Sequence, residues 1–156
     1  MGEIIFSQLE FVRSQTLKMV SALSEEQASI VPSGFRNHIL WNLGHIALVH
    51  DAFAFQLTGR PSMIHVQYKD FFANGTSPEN WTGDAPRLAE IIEILQQQPK
   101  QIVSQLSGKL EESVSKPYKT SSGFTLDSVE GFLNFSLYHE GMHFSVIKIY
   151  KHLIQS

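Results

Sequence analysis

The chain contains no cysteine among its 156 residues. That excludes disulfides, thiolate metal sites and a cysteine nucleophile, so any thiol chemistry needs a thiol brought in from outside. Nor is there a run of Lys and Arg. With 12 basic against 15 acidic residues the formal net charge is −3, and the basic stripe that nucleic-acid binding needs is missing. Apolar stretches are all interrupted by His, Asn, Gln or Asp, so no membrane span is expected. Met1-Gly2-Glu3-Ile4-Ile5-Phe6-Ser7-Gln8 lacks a basic start followed by an apolar core, so no signal peptide is expected and the default location is cytoplasmic. β-alternation of useful length is absent too, as are internal repeats, low-complexity segments and linkers.

What remains is helical periodicity in a chain whose length suits one domain, residues 1–156. Ile5, Leu9, Val12, Thr16, Met19 and Leu23 recur at helical steps over Glu3 to Leu23. Ser24-Glu25-Glu26-Gln27 reads as a capping box. A second helix is predicted from the N-cap Asn37 to Leu57, stopped by Gly59 and Pro61. Residues 60–83 form a long irregular stretch rich in aromatics (Tyr68, Phe71, Phe72, Trp81), either a packed crossover or a functional cover. A third helix is expected from Asp84 and Pro86, interrupted near Gln98 by Pro99. Ser113 to Gly123 is polar and rich in breakers. A hairpin is conceivable there but is not assigned. The fourth helix is predicted from Thr125 to Leu153. The predicted fold class is all-α: a four-helix bundle with a long crossover between helices two and three.

The last helix carries the chemical signal. One of its faces reads Leu126, Val129, Leu133, Ser136, Glu140, His143, Ile147, Tyr150, Ile154. The adjoining face reads Phe132, Phe135, His139, Met142, Val146, Ile149, Leu153. Both are apolar at the ends and polar in the middle. A buried polar group without a partner costs about 1–3 kcal/mol, so something must offset that burial. His139 and His143, four residues apart, project from one helical face and can meet one cation. The competing reading is two histidines that merely hydrogen-bond across the bundle. A third imidazole on helix two favours the metal. His45 shares a face with Trp41, Leu48 and Ala52. His38 lies on nearly the same face, and His50 is flanked by Ile46 and Ala54, so both stay open as rivals. His65 and His152 read as loop and surface residues. Three histidines from two helices make a site with room for water or substrate.

His139-Glu140-Gly141-Met142-His143 also matches the zinc-peptidase helix, with Glu140 as general base. Only 13 residues follow His143, which leaves little room for a downstream third ligand, and no substrate-binding edge strand is predicted.

Placed together, Trp41-x-x-x-His45 on helix two and the His139-x-x-x-His143 pair near the C-terminus resemble the DinB-like, or YfiT-type, metal-binding four-helix bundles of bacteria. The resemblance covers nearly the whole chain. It implies one divalent metal, zinc or nickel, held by His45, His139 and His143. It also implies kinship with thiol-dependent S-transferases and a mycothiol-dependent isomerase, with bacillithiol as one candidate thiol. The family name comes from DNA-damage inducibility and does not imply DNA binding. The chain departs from many relatives in reading Ser145-Val146 where they carry Gly-Gln.

The leading expectation is therefore a metal-dependent S-transferase, in which a thiol attacks a small electrophile held under the aromatic loop. Glu140 has two readings: a group that orients a ligand or shuttles a proton, or a structural ion pair with helix one or two. The rival functions are a hydrolase on the same ligands and a non-enzymatic metal-binding or stress-response bundle. A homodimer is expected from the prevalence of closed symmetric assemblies.

Overall fold

The computed structural model describes residues 3–155. Met1, Gly2 and Ser156, the ends of the predicted domain and the first residues of the stretch read for a leader, lie outside it. The fold is mostly helical, and four long helices carry it: α1 (Glu3–Val20), α3 (Ile39–Asp51), α5 (Leu88–Leu106) and α6 (Val129–Gln155). Short helices α2 (Glu25–Ala28) and α4 (Tyr68–Phe72) lie in the connections. Each long helix packs against two others: α1 and α3 each contact both α5 and α6.

Two apolar clusters fix the directions of the helices. One gathers Val20, Ile39, Leu43, Leu88, Leu95, Ile147 and Tyr150. The other gathers Ile5, Leu9, Phe55, Ile102, Leu106, Val129 and Leu133. Helices α1 and α6 thus start in the second cluster and end in the first, whereas α3 and α5 run the opposite way. Residues 57–87 must return the chain along the length of the molecule. Between the clusters lies a polar layer to which every long helix contributes: Arg13, His50, Gln98 and Glu140, each at most 2% exposed.

Several elements differ from the sequence expectation. The expected helical class holds for most of the chain, with one addition: Ser113–Lys119 (β1) and Thr125–Ser128 (β2) form an antiparallel hairpin. Its register pairs Tyr118 with Leu126 and Lys119 with Thr125, with an irregularity before Tyr118. Helix α6 accordingly begins at Val129 rather than Thr125. Polar β1 has no alternation to read because it is almost wholly exposed, and Leu126 alone of β2 is buried, against Phe53 and Phe132. His38, not Asn37, caps α3: its Nδ1 accepts the Trp41 backbone N–H at 2.9 Å. The capping box at Ser24 and Gln27 forms as expected. Helix α5 starts at Leu88 instead of Asp84, with its first N–H donating to Glu25 Oε2 at 2.8 Å.

Pro99 does not interrupt α5. Proline removes the N–H that would bind the carbonyl four residues back, here Leu95. That carbonyl accepts Arg13 Nη1 instead, at 2.7 Å. At the end of α3, residues Ala52–Gln56 widen into a π-turn, closed by Leu57 N–H donating to the Ala52 carbonyl at 2.8 Å. The buried Asp51 carboxylate anchors this turn, accepting from Gln56 Nε2, Ser62 Oγ and the Met63 N–H.

Candidate metal centre

Helices α3 and α6 are packed together, and their facing middles hold the three imidazoles. One nitrogen from each of His45, His139 and His143 lies within 4.8 Å of the others. The Nε2 atoms of His45 and His139 face each other at 3.3 Å. The ring centroids are 4.6–5.1 Å apart. A tetrahedral ion about 2.0–2.1 Å from each nitrogen separates its ligand atoms by roughly 3.3–3.4 Å. The pair already stands at that spacing.

The outer nitrogens settle which atoms face inward. His45 Nδ1–H donates to the Phe72 carbonyl at 2.7 Å, which leaves Nε2 with a lone pair. Asn42 Nδ2 donates to the His38 carbonyl at 2.9 Å, so Oδ1 is the atom that receives His143 Nδ1–H at 2.8 Å. Such partners fix ring orientation and tautomer at metal sites. His139 Nδ1 is buried and has no hydrogen-bond partner among the described residues. Trp41 stacks on His45 at 4.8 Å with only 10° between the planes, shielding one side.

All three rings are held neutral, as metal ligation requires. Burial lowers the His45 pKa against a smaller opposing effect of the Phe72 carbonyl. It lowers that of His143 to about 4, helped by His45. His139 falls to about 2 through burial and the neighbouring imidazoles.

Glu140 lies between two of these histidines in sequence but faces the polar layer. Its Oε1 accepts Arg13 Nε at 2.9 Å and Thr16 Oγ1 at 2.8 Å, and its Oε2 accepts Arg13 Nη2 at 3.1 Å. Burial would raise its pKa. Arg13 and His50, with the hydrogen bonds from Arg13 and Thr16, hold it below the usual carboxylate value. Since Arg13 has no lone pair to give, His50 Nδ1 must accept from Nη2 at 3.1 Å. His50 Nε2–H then points to the Ser136 carbonyl at 3.2 Å. Gln98 completes the layer, accepting from Arg13 and donating to the Ala47 carbonyl at 2.7 Å.

Of the rival histidines, His38 is occupied as a helix cap, and His50 belongs to the polar layer. His65 and His152 are exposed as expected. Of the aromatic side chains of residues 60–83, Phe71 and Phe72 are buried and Tyr68 and Trp81 half-buried. Phe72 is fully buried and sits against Gly44, where an added Cβ would come within 2.4 Å of its ring. Asn42, Arg13 and Gln98 escape the sequence analysis as site residues, and Thr16 figures there only in the helical periodicity of the first helix. Arg13 left a trace, standing four residues after Leu9 and seven before Val20, on the buried stripe itself.

An open cleft of about 770 Å³ begins at the triad. Its walls include Phe53 and Gln56 of the π-turn, Phe135 and Met142 of α6, and Tyr118 of β1. A small molecule thus has access to the imidazoles from one side.

In comparisons with known proteins, no curated protein matches the chain. A solved structure, described as a conserved protein of locus from Enterococcus faecalis, aligns at TM-score 0.67 and 12% identity, over 98% of this chain and 96% of that one. At that identity it shows the fold alone. The model of the DinB superfamily matches residues 8–147, a span that runs from within α1 through most of α6 and holds all three clustered histidines, and the chain belongs to that superfamily.

Proposed function

We propose that the protein is a metal-dependent enzyme of the thiol S-transferase type, built on a four-helix bundle and acting on small electrophiles. The convergence of His45, His139 and His143 at the mouth of an open cleft carries the reading. Zinc or nickel suits three neutral imidazoles. A divalent ion bound there would lower the pKa of a thiol that reaches it. The chain supplies no thiol of its own, so a small thiol, of which bacillithiol is one example, is the cosubstrate.

The protein's residues hold and orient. His45 and His143 are aimed by Phe72 and Asn42, Trp41 shields the His45 ring, and the cleft places the electrophile beside the triad. In the reaction the S–H bond breaks and an S–C bond forms. The leaving group departs with its electron pair, and the thiol proton passes to solvent. Of the two roles open to Glu140, the ion pair is the better supported. Its oxygens are taken up by Arg13 and Thr16, which makes it a positioning residue.

The test begins with metal content of untagged protein beside the triple alanine variant at His45, His139 and His143. About one equivalent in the parent and none in the variant is expected. Turnover of a thiol with a bimane-type electrophile should then require both thiol and metal. Absence of metal from the parent, even after incubation with zinc and nickel, overturns the reading.

A further inference from the structure

We propose that the electrophile taken by this cleft is a small aryl-bearing carboxylate with a displaceable group on carbon, which leaves with its electron pair as the S–C bond forms, its ring lying against the wall made by the π-turn and the hairpin and its anionic end served by Lys69. This deepens the transferase reading and rests on it for the identity of the reaction, but the recognition is a property of the cleft itself.

The volume, about 770 Å³, lies within the range of small-molecule sites, roughly 300–1,000 Å³. One wall is a continuous set of rings. Phe53 lies 5.6 Å from Tyr118 and 5.7 Å from Phe135, centroid to centroid. Tyr118 remains 38% exposed and belongs to the hairpin, whose two strands together bury only one side chain, Leu126. The π-turn delivers Phe53 and Gln56 to the same wall. Such turns inside α-helices are frequent at functional sites. An aromatic guest gains offset or edge contacts with these rings beyond simple burial.

The charge pattern supplies the second half. Among the described residues lining the cleft there is no Asp or Glu, although acidic residues outnumber basic ones over the whole chain. Lys69 is the lone formal charge in the lining, and it takes part in no ion pair among the described residues. It projects from α4, the helix whose Phe72 carbonyl orients His45. An anion meets no repelling carboxylate here and one available ammonium.

The test uses the full chain, metal-free and zinc-loaded, with 4-phenylbutyrate, the neutral 4-phenylbutan-1-ol and hexanoate as probes in calorimetric titrations. The metal-free form isolates Lys69 from direct carboxylate–zinc contact. There 4-phenylbutyrate should bind saturably and more tightly than the alcohol, by about three-fold or more. Lys69→Glu should abolish or invert that preference. Tyr118→Ser, at a half-exposed position that the fold tolerates, should weaken the two aromatic probes and leave hexanoate unchanged. Equal binding of acid and alcohol, indifference to Lys69→Glu, or no saturable binding at millimolar probe overturns the assignment. Zinc stoichiometry measured on the same samples separates the two readings. Probe binding without zinc uptake sinks the transferase reading alone, and stoichiometric zinc without probe selectivity sinks this one alone.

Discussion

Glu140 and Asn42 show how one residue's role depends on what its polar atoms already hold. Replacing Glu140 by Gln leaves the Arg13 guanidinium buried without its counter-charge. Removing one partner of a buried pair costs about 3–5 kcal/mol, so a large fall in melting temperature is expected for E140Q by calorimetry. An unchanged melting temperature with lost turnover would instead restore a proton-shuttle role. Asn42→Ala removes the acceptor that fixes His143. Loss of such an outer partner typically weakens metal affinity by about 10–100-fold, which a chelator-competition titration will register while helical content stays constant. Protonation acts on the same residues. The pKa of buried His38 and His50 and of half-buried His143 is lowered to about 4 from an unfolded value near 6.5. The unfolded chain therefore binds protons first as pH falls. Stability is full above about pH 6.5 and is lost progressively toward pH 4. Metal-free protein should melt several degrees lower at pH 5 than at pH 7, roughly 4 °C or more, and a flat profile would contradict the burial of these rings.

Elements are placed by small compensations. Gly44 on α3 lets the Phe72 ring of α4 lie directly on the helix backbone, and the Phe72 carbonyl then meets His45. Gly44→Ala pushes that ring away. Overpacking of this kind costs about 1–3 kcal/mol, and zinc affinity should fall with it, since the His45 anchor moves. Retained affinity in a destabilised G44A protein would show that Phe72 is dispensable to the site. Pro99 illustrates the reverse. Read alone it should kink α5, but the carbonyl it frees becomes a partner of Arg13, and the helix continues. The sequence could not show this, because the acceptor's partner is 82 residues away. The hairpin was conceivable from the breakers between Ser113 and Gly123 but could not be assigned, since its strands are almost wholly exposed and bury one side chain, Leu126.

At the scale of the whole molecule, a polar layer crosses a helical fold between two apolar clusters, with the histidine triad beside it at the head of a cleft. Periodicity made the long helices legible. The interrupted stripes of the last helix singled out His139, Glu140 and His143, and Trp41-x-x-x-His45 supplied a third imidazole. The sequence by itself therefore determined the helical class, the histidines available and the exclusion of thiolate chemistry, because these follow from residue identity and local spacing. Only the tertiary structure decided that His45 rather than His38 or His50 joins the pair. It also decided that Glu140 turns toward Arg13, and that the cleft's aromatic wall comes from Phe53, Phe135 and the hairpin instead of residues 60–83. Those outcomes depend on which helices face one another and in which direction they run. A spacing of three or four places a side chain on a face, but the partner across that face is set by packing between segments far apart in the chain.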